Sequence, residues 1–174
     1  SSYPPQRILK MLNTATAGKG NLLLTIGPAP DGSVPAEAVA PLETVGKWLA
    51  RNGEAAYGKK DKSTYRAASG VCGTSFEGRT VYFWNWIWPA GGTMAIGGFA
   101  TPVEKVTIVG SSAPVAFEQR GQRIILKGLP PKSPDPTAGV AVIAVTFREA
   151  PVFHRCSYYP QLHGGMDWAG EAKL

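Results

Sequence analysis

The sequence predicts an α+β chain: a helix–strand–helix segment followed by an antiparallel β-sandwich. Three observations predict it. Before residue 58, apolar residues recur at helical spacing in two stretches. Between them lies NLLLTIG, Asn21 to Gly27, a continuous apolar run of strand length flanked by turn residues. From about Val71 onward, short β-type runs alternate with turn signals, and 21 Gly and 15 Pro among 174 residues favour many turns over long helices.

The first helix opens at Pro4 and Pro5. In QRILKMLNTATA the residues Ile8, Leu9, Met11, Leu12 and Ala15 share a face, and Gly18 and Gly20 end the element. Asn21 to Gly27 then reads as a buried parallel strand entering the loop PAPDGSVP. A parallel strand needs a crossover neighbour and cover on both faces, and this one stands almost alone. The second helix is expected in PLETVGKWLARNG, with Leu42, Val45, Trp48 and Leu49 on one face and Gly53 as its stop. Pro41 suits the first turn of that helix and argues against one straight helix from Pro35.

Residues 59–70 read as a solvated linker containing Lys59, Lys60, Lys62 and Arg66. Residues 71–156 read as the sandwich, with strands in VCGTSF, RTVYFWNWIW, GTMAIGG, VEKVTIVG, VAFEQ, QRIILKG and GVAVIAVTF. KGLPPKSPDP, Lys127 to Pro136, is the crossing loop before the last long strand, and residues 157–174 form an irregular tail.

A net charge of +6 and a pI near 9.4 raise nucleic acid as a partner. The densest basic run has no nucleic-acid-binding motif around it, so no nucleic-acid partner is expected. No apolar run reaches 18 residues, so no membrane-spanning helix is expected. The N-terminus SSYPPQRILK lacks a signal-peptide pattern, as a mature or trimmed start would; secreted, periplasmic and lysosomal settings all stay open. Cys72 and Cys156 form no CxxC or Cys/His cluster, so no metal and no cofactor are expected; the two thiols either pair or are buried separately. His154 and His163 have neither ligand spacing nor a nucleophile partner.

Strand alternation in YFWNWIW puts Tyr82, Trp84, Trp86 and Trp88 on one face and Phe83, Asn85 and Ile87 on the other. One face belongs to the core, with Val81, Phe83 and Ile87 or their alternates inside. The other must meet a second surface, either the preceding segment or a sugar ring stacked on the aromatic row.

KGNLLLTIGPAPDGSVP, followed by LETVGKWLARNGEAAYG, resembles the end of the catalytic barrel of glycoside hydrolase family 29, the α-L-fucosidases. TVYFWNWIWP, VEKVTIVGSSAPVAFEQ and IILKGLPP resemble successive strands of that family's C-terminal β domain, so the likeness runs over about residues 6–148. Thr25 stands where the family usually has Asn. The resemblance implies that residues 1–58 are an incomplete (β/α)8-barrel remnant containing the eighth strand. It also implies retaining hydrolysis of terminal α-L-fucose from glycans by an Asp nucleophile and a Glu acid/base, whose motifs this chain lacks.

Within the chain, Asp31 and Glu37 are the weak catalytic candidates, since they follow the supposed last strand on the face where barrel sites are built. The alternative places Asp31 with Gly32 in a turn and Glu37 at a helix N-terminus. Tyr82, Trp84, Trp86 and Trp88 are the weak substrate-binding candidates. Three readings follow: a short or split α-L-fucosidase, a non-catalytic carbohydrate-binding or structural module, and a compact hydrolase with a rebuilt site. The expected partners are a fucosylated glycan and either a second copy or a complementary barrel chain, joined through residues 1–50.

Overall fold

A computed structural model describes residues 3–58, 71–111 and 113–153. The linker at 59–70, the end of the sandwich at residue 156, the tail, His154, His163, Cys156 and the Lys59–Lys62 run lie outside the described residues. The elements are helix α1 (Pro5–Ala17), helix α2 (Ala36–Asn52), a 3-10 turn (Gly53–Ala55), and strands β1 (Cys72–Glu77), β2 (Thr80–Asn85), β3 (Met94–Gly97), β4 (Val103–Ile108), β5 (Ala116–Arg120), β6 (Arg123–Lys127) and β7 (Ala141–Phe147). No described helix is long and apolar enough to cross a membrane.

The seven strands form two antiparallel sheets, one in the order β1-β2-β7-β4 and the other β3-β6-β5. Side-chain alternation gives the first sheet two buried faces. Val81 and Phe83 of β2, with Ile143 and Val145 of β7, turn inward onto Ile96 and Ile124 of the second sheet. Tyr82 and Trp84, with Val142 and Ala144, turn outward and are covered by Ile8 and Leu9 of α1 and Val45 and Trp48 of α2. The molecule therefore has three layers, helices on sheet on sheet, and β7 is buried along its whole length.

Polar bonds fix the helix layer. Trp48 Nε1 donates to the Val140 carbonyl at 2.7 Å, and its ring lies 4.7 Å from that of Trp84. Trp84 Nε1 donates to Ser75 Oγ at 3.0 Å, and Ser75 Oγ donates to the Ala55 carbonyl at 2.5 Å. Asn13, buried in α1, donates from Nδ2 to the Thr74 carbonyl of β1 at 3.0 Å. Gly73 permits this approach, because a Cβ there would overlap the Asn13 side chain. The aromatic face of β2 thus meets the preceding segment, and it does so through that segment's helices.

Three expectations are corrected. Asn21 to Gly27 forms no strand: no backbone bond joins residues 21–28 to any described residue. A strand exists only through ladder partners, and none of the described residues stands beside this segment as one. The alternation survives even so, with Leu22, Leu24 and Ile26 half-buried while Leu23 is 90% exposed and Thr25 is also exposed.

α2 starts five residues before Pro41, which lies inside it. Ala and Glu in the first turns are good helix formers, and burial of Val45 and Trp48 outweighs the bond that proline cannot donate.

Finally, β2 ends at Asn85, so the Trp row is not continuous: Trp86 keeps to the predicted helix side, and the face assignment fails from Ile87 onward. Trp86 packs with the helix-side cluster and Trp88 against the inter-sheet core, while Ile87 is 49% exposed and is not a core residue.

Candidate functional site

The start of α1, residues 24–27 and the start of α2 line an open pocket of about 270 Å³. Leu24, Ile26, Pro41 and Leu42 supply apolar wall, while Tyr3 and Glu37 add a phenol and a carboxylate. The Arg7 guanidinium lies 4.4 Å from the Tyr3 ring centroid, a cation–π contact that steadies the ring. Neither Tyr3 nor Arg7 stands out in sequence, because only the return of the chain from Gly27 to Pro35 brings α1 and α2 around one space.

Asp31 does not line this cavity. It sits at the tip of a tight turn, where the Ala29 N–H donates to the Ser33 carbonyl at 2.8 Å and the Gly32 N–H to the Ala29 carbonyl at 2.8 Å. Gly32 takes φ +84°, a conformation that L side chains adopt only with strain. Ser33 donates its hydroxyl to Asp31 Oδ1 at 2.7 Å and its backbone N–H to the same oxygen at 3.0 Å. Those two bonds, the hydroxyl first, hold the carboxyl below its ordinary pKa of 3.8. Asp31 is thus an ionised turn residue in solvent, and the side chain that reaches the cavity is Glu37, exposed in the first turn of α2. One carboxylate at a cavity wall cannot serve as both nucleophile and acid/base of a double displacement, which needs two.

The aromatic candidates have structural surroundings. Trp84 is 0% exposed between Trp48 and the sheet, and Tyr82 is buried beside it. Burial pushes the Tyr82 hydroxyl up to about 12, and the charges of Glu54 and Glu77 add to the shift. Trp86 is half-buried, with the Lys10 ammonium 5.6 Å from its ring centroid. Trp88 donates Nε1 to the Pro130 carbonyl at 2.8 Å. The four rings therefore form no common flat surface on which a sugar could stack. Among the described residues, no three His, Cys, Asp or Glu side chains converge as a metal site would require.

Comparison with known proteins agrees with the resemblance seen in the sequence. Residues 1–54 match the family model of α-L-fucosidase. The tissue α-L-fucosidase of Bos taurus is 34% identical over 129 residues, 71% of this chain and 27% of that protein. The Homo sapiens tissue enzyme is 33% identical over 136 residues, 72% of this chain and 28% of that protein. This chain thus spans about a quarter of the length of the curated relatives it matches.

Among solved structures, α-L-fucosidase isoenzyme 1 of Paenibacillus thiaminolyticus superposes with a TM-score of 0.70 at 21% identity, over 84% of this chain and 35% of that one. The α-L-fucosidase of Vibrio sp. strain EJY3 gives 0.72 at 15% identity, over 87% and 27%. Those two likenesses establish the fold. The family match and the curated relatives carry the sequence likeness, and on them the chain belongs to the α-L-fucosidase family.

Proposed function

We propose that this chain is a portion of a retaining α-L-fucosidase that removes terminal α-L-fucose from glycans, and that both carboxyl groups of the reaction come from polypeptide outside it. The observation that carries this reading is the likeness to α-L-fucosidases over 71% of the chain, joined to a candidate site that presents one carboxylate where two are needed. Retaining hydrolysis places two carboxyl groups about 5 to 5.5 Å apart, one attacking the anomeric carbon and one protonating the leaving oxygen, then activating water. Asp31, tied to Ser33, and Glu37, at the start of α2, take structural roles in this reading, as turn and helix-start residues. The chain contributes the helix pair and the sandwich that holds it. Its partners are the fucosylated glycan and either a complementary barrel polypeptide or a second copy, joined through residues 1–50.

The test uses the Bos taurus relative shortened by its 129 matching residues, mixed with this chain and an aryl α-L-fucoside. Hydrolysis by the mixture, absent from the shortened relative alone and unchanged when Asp31 or Glu37 of this chain becomes Ala, is the expected result. No turnover and no fucoside binding by a mixture shown to associate would leave the chain a structural or carbohydrate-binding module. That outcome would overturn the enzymatic reading.

A further inference from the structure

Two dipeptides in the chain set glycine after a side chain that the glycine nitrogen can attack: Asp31–Gly32 and Asn52–Gly53. In each, a bond forms from that nitrogen to the side-chain carbonyl carbon, closing a succinimide ring. The amide proton departs with the leaving group, as water from a neutral aspartic acid and as ammonia from asparagine. Water then opens the ring at either carbonyl, giving aspartate or the β-linked isoaspartate. Glycine suits the step because it has no Cβ to hinder the nitrogen. In an unfolded chain the asparagine closes faster, since a neutral amide is a better electrophile than an ionised carboxylate.

The fold reverses that order. Asn52 ends α2 with 1% of its surface exposed, and its Nδ2 donates to the Trp48 carbonyl at 3.1 Å. The side chain is thereby drawn back along the helix, out of reach of the water that must open the ring. Asp31 is exposed at the tip of the 29–33 turn, where water is always at hand. Only the turn restrains it. The Ser33 hydroxyl and N–H both donate to Oδ1 and favour the ionised carboxylate, which has no hydroxyl to lose. The attacking nitrogen is engaged as well, its N–H donated to the Ala29 carbonyl at 2.8 Å.

We infer that Asp31–Gly32 is a site of spontaneous isoaspartate formation in the folded chain, that Ser33 is the brake on it, and that folding protects Asn52–Gly53. The β-linkage adds a methylene to the backbone and moves the carboxylate that Ser33 grips, so the return of the chain from Gly27 to Pro35 loses its turn. The reaction involves no fucoside and no second chain, and is independent of the enzymatic reading.

The experiment ages the purified chain and Ser33→Ala in buffer and in urea. Tryptic peptides 20–47 and 52–59 are then read by mass spectrometry, with fragmentation to locate the residue and isoaspartyl methyltransferase labelling to count the product. Thermal unfolding checks that the variant is folded. In buffer, isoaspartate should accumulate at Asp31 while peptide 52–59 keeps its mass. In urea, peptide 52–59 should show the mass shift of deamidation first. Ser33→Ala should raise the Asp31 rate several-fold in buffer and leave it unchanged in urea. A folded parent that forms no isoaspartate at Asp31, or that converts Asn52 first, overturns the proposal. So does a Ser33→Ala rate equal to the parent's in buffer. A gain of the same size in urea would mean a local sequence effect with no brake in the turn, and overturns it too.

Discussion

Replacing Gly73 by alanine should destabilise the protein by about 1 to 3.6 kcal/mol. A Cβ on Gly73 would overlap Asn13 Oδ1 and lie 2.7 Å from Asn13 Cγ and 2.9 Å from Trp86 Cζ2, so α1 must shift or Asn13 must leave. Overpacking of this kind costs about 1 to 3 kcal/mol. Displacing Asn13 also breaks its 3.0 Å bond to the Thr74 carbonyl, a further loss of about 1 kcal/mol. Restriction of the unfolded chain by the new methyl gives back about 0.4 to 1 kcal/mol.

The same substitution at Gly46 should have the opposite sign. Gly46 lies on the exposed side of α2 with nothing within 4 Å of a built Cβ, so alanine there should stabilise by about 1 kcal/mol through helix propensity. Urea unfolding at fixed protein concentration reads both. With a slope of about 2 kcal/mol/M, the Gly73→Ala midpoint falls by about 0.5 to 1.8 M and the Gly46→Ala midpoint rises by about 0.5 M. A Gly73→Ala midpoint equal to or above the parent's would refute the docking of α1 on β1.

Three further outcomes follow from the same contacts. Trp48→Phe keeps an aromatic ring against Trp84 but orphans the Val140 carbonyl, and should cost about 1 to 3 kcal/mol in the same unfolding assay. Tyr82, whose hydroxyl is raised from 10.0 to about 12, binds its proton more tightly folded than unfolded. Stability is therefore fully present below pH 10 and falls as the pH rises toward about 12, and Tyr82→Phe should remove that share of the decline seen in urea midpoints across the window. Ser33→Ala should raise the Asp31 pKa toward its ordinary carboxylate value in an NMR titration, because the hydroxyl bond is the first cause of its lowering.

Local periodicity made most of the fold legible. The apolar spacing from Ile8 to Ala15 and from Leu42 to Leu49 located both helices, and turn residues such as Gly78 and Gly121 punctuated seven strands that the structure contains. Val81 and Phe83 fell on the inner face as alternation requires.

The failures share a cause, which is that the deciding partner is not local. Asn21 to Gly27 has strand character in its residues, yet strand status resides in ladder neighbours, and no described residue stands beside it as one. Both ladders of β2 end at Asn85, and alternation through YFWNWIW persists only to Trp86 before Ile87 and Trp88 depart from it. Pro41 reads as a helix start by its own chemistry, whereas burial of Val45 and Trp48 farther along carries the helix through it. For the candidate site, the Asp31–Gly32 turn was visible in the sequence, while the cavity joining Tyr3 to Glu37 depends on how α1 and α2 meet.

The proposed function, a fucosidase portion whose catalytic carboxyl groups lie outside it, is tested most directly by hydrolysis of an aryl α-L-fucoside by the purified chain alone. The chain alone should release no aryl group above the buffer rate. Turnover by the chain alone, falling by several orders of magnitude when Asp31 or Glu37 is replaced by alanine while the fold survives, would contradict it and make the chain a compact hydrolase with its own carboxylate pair.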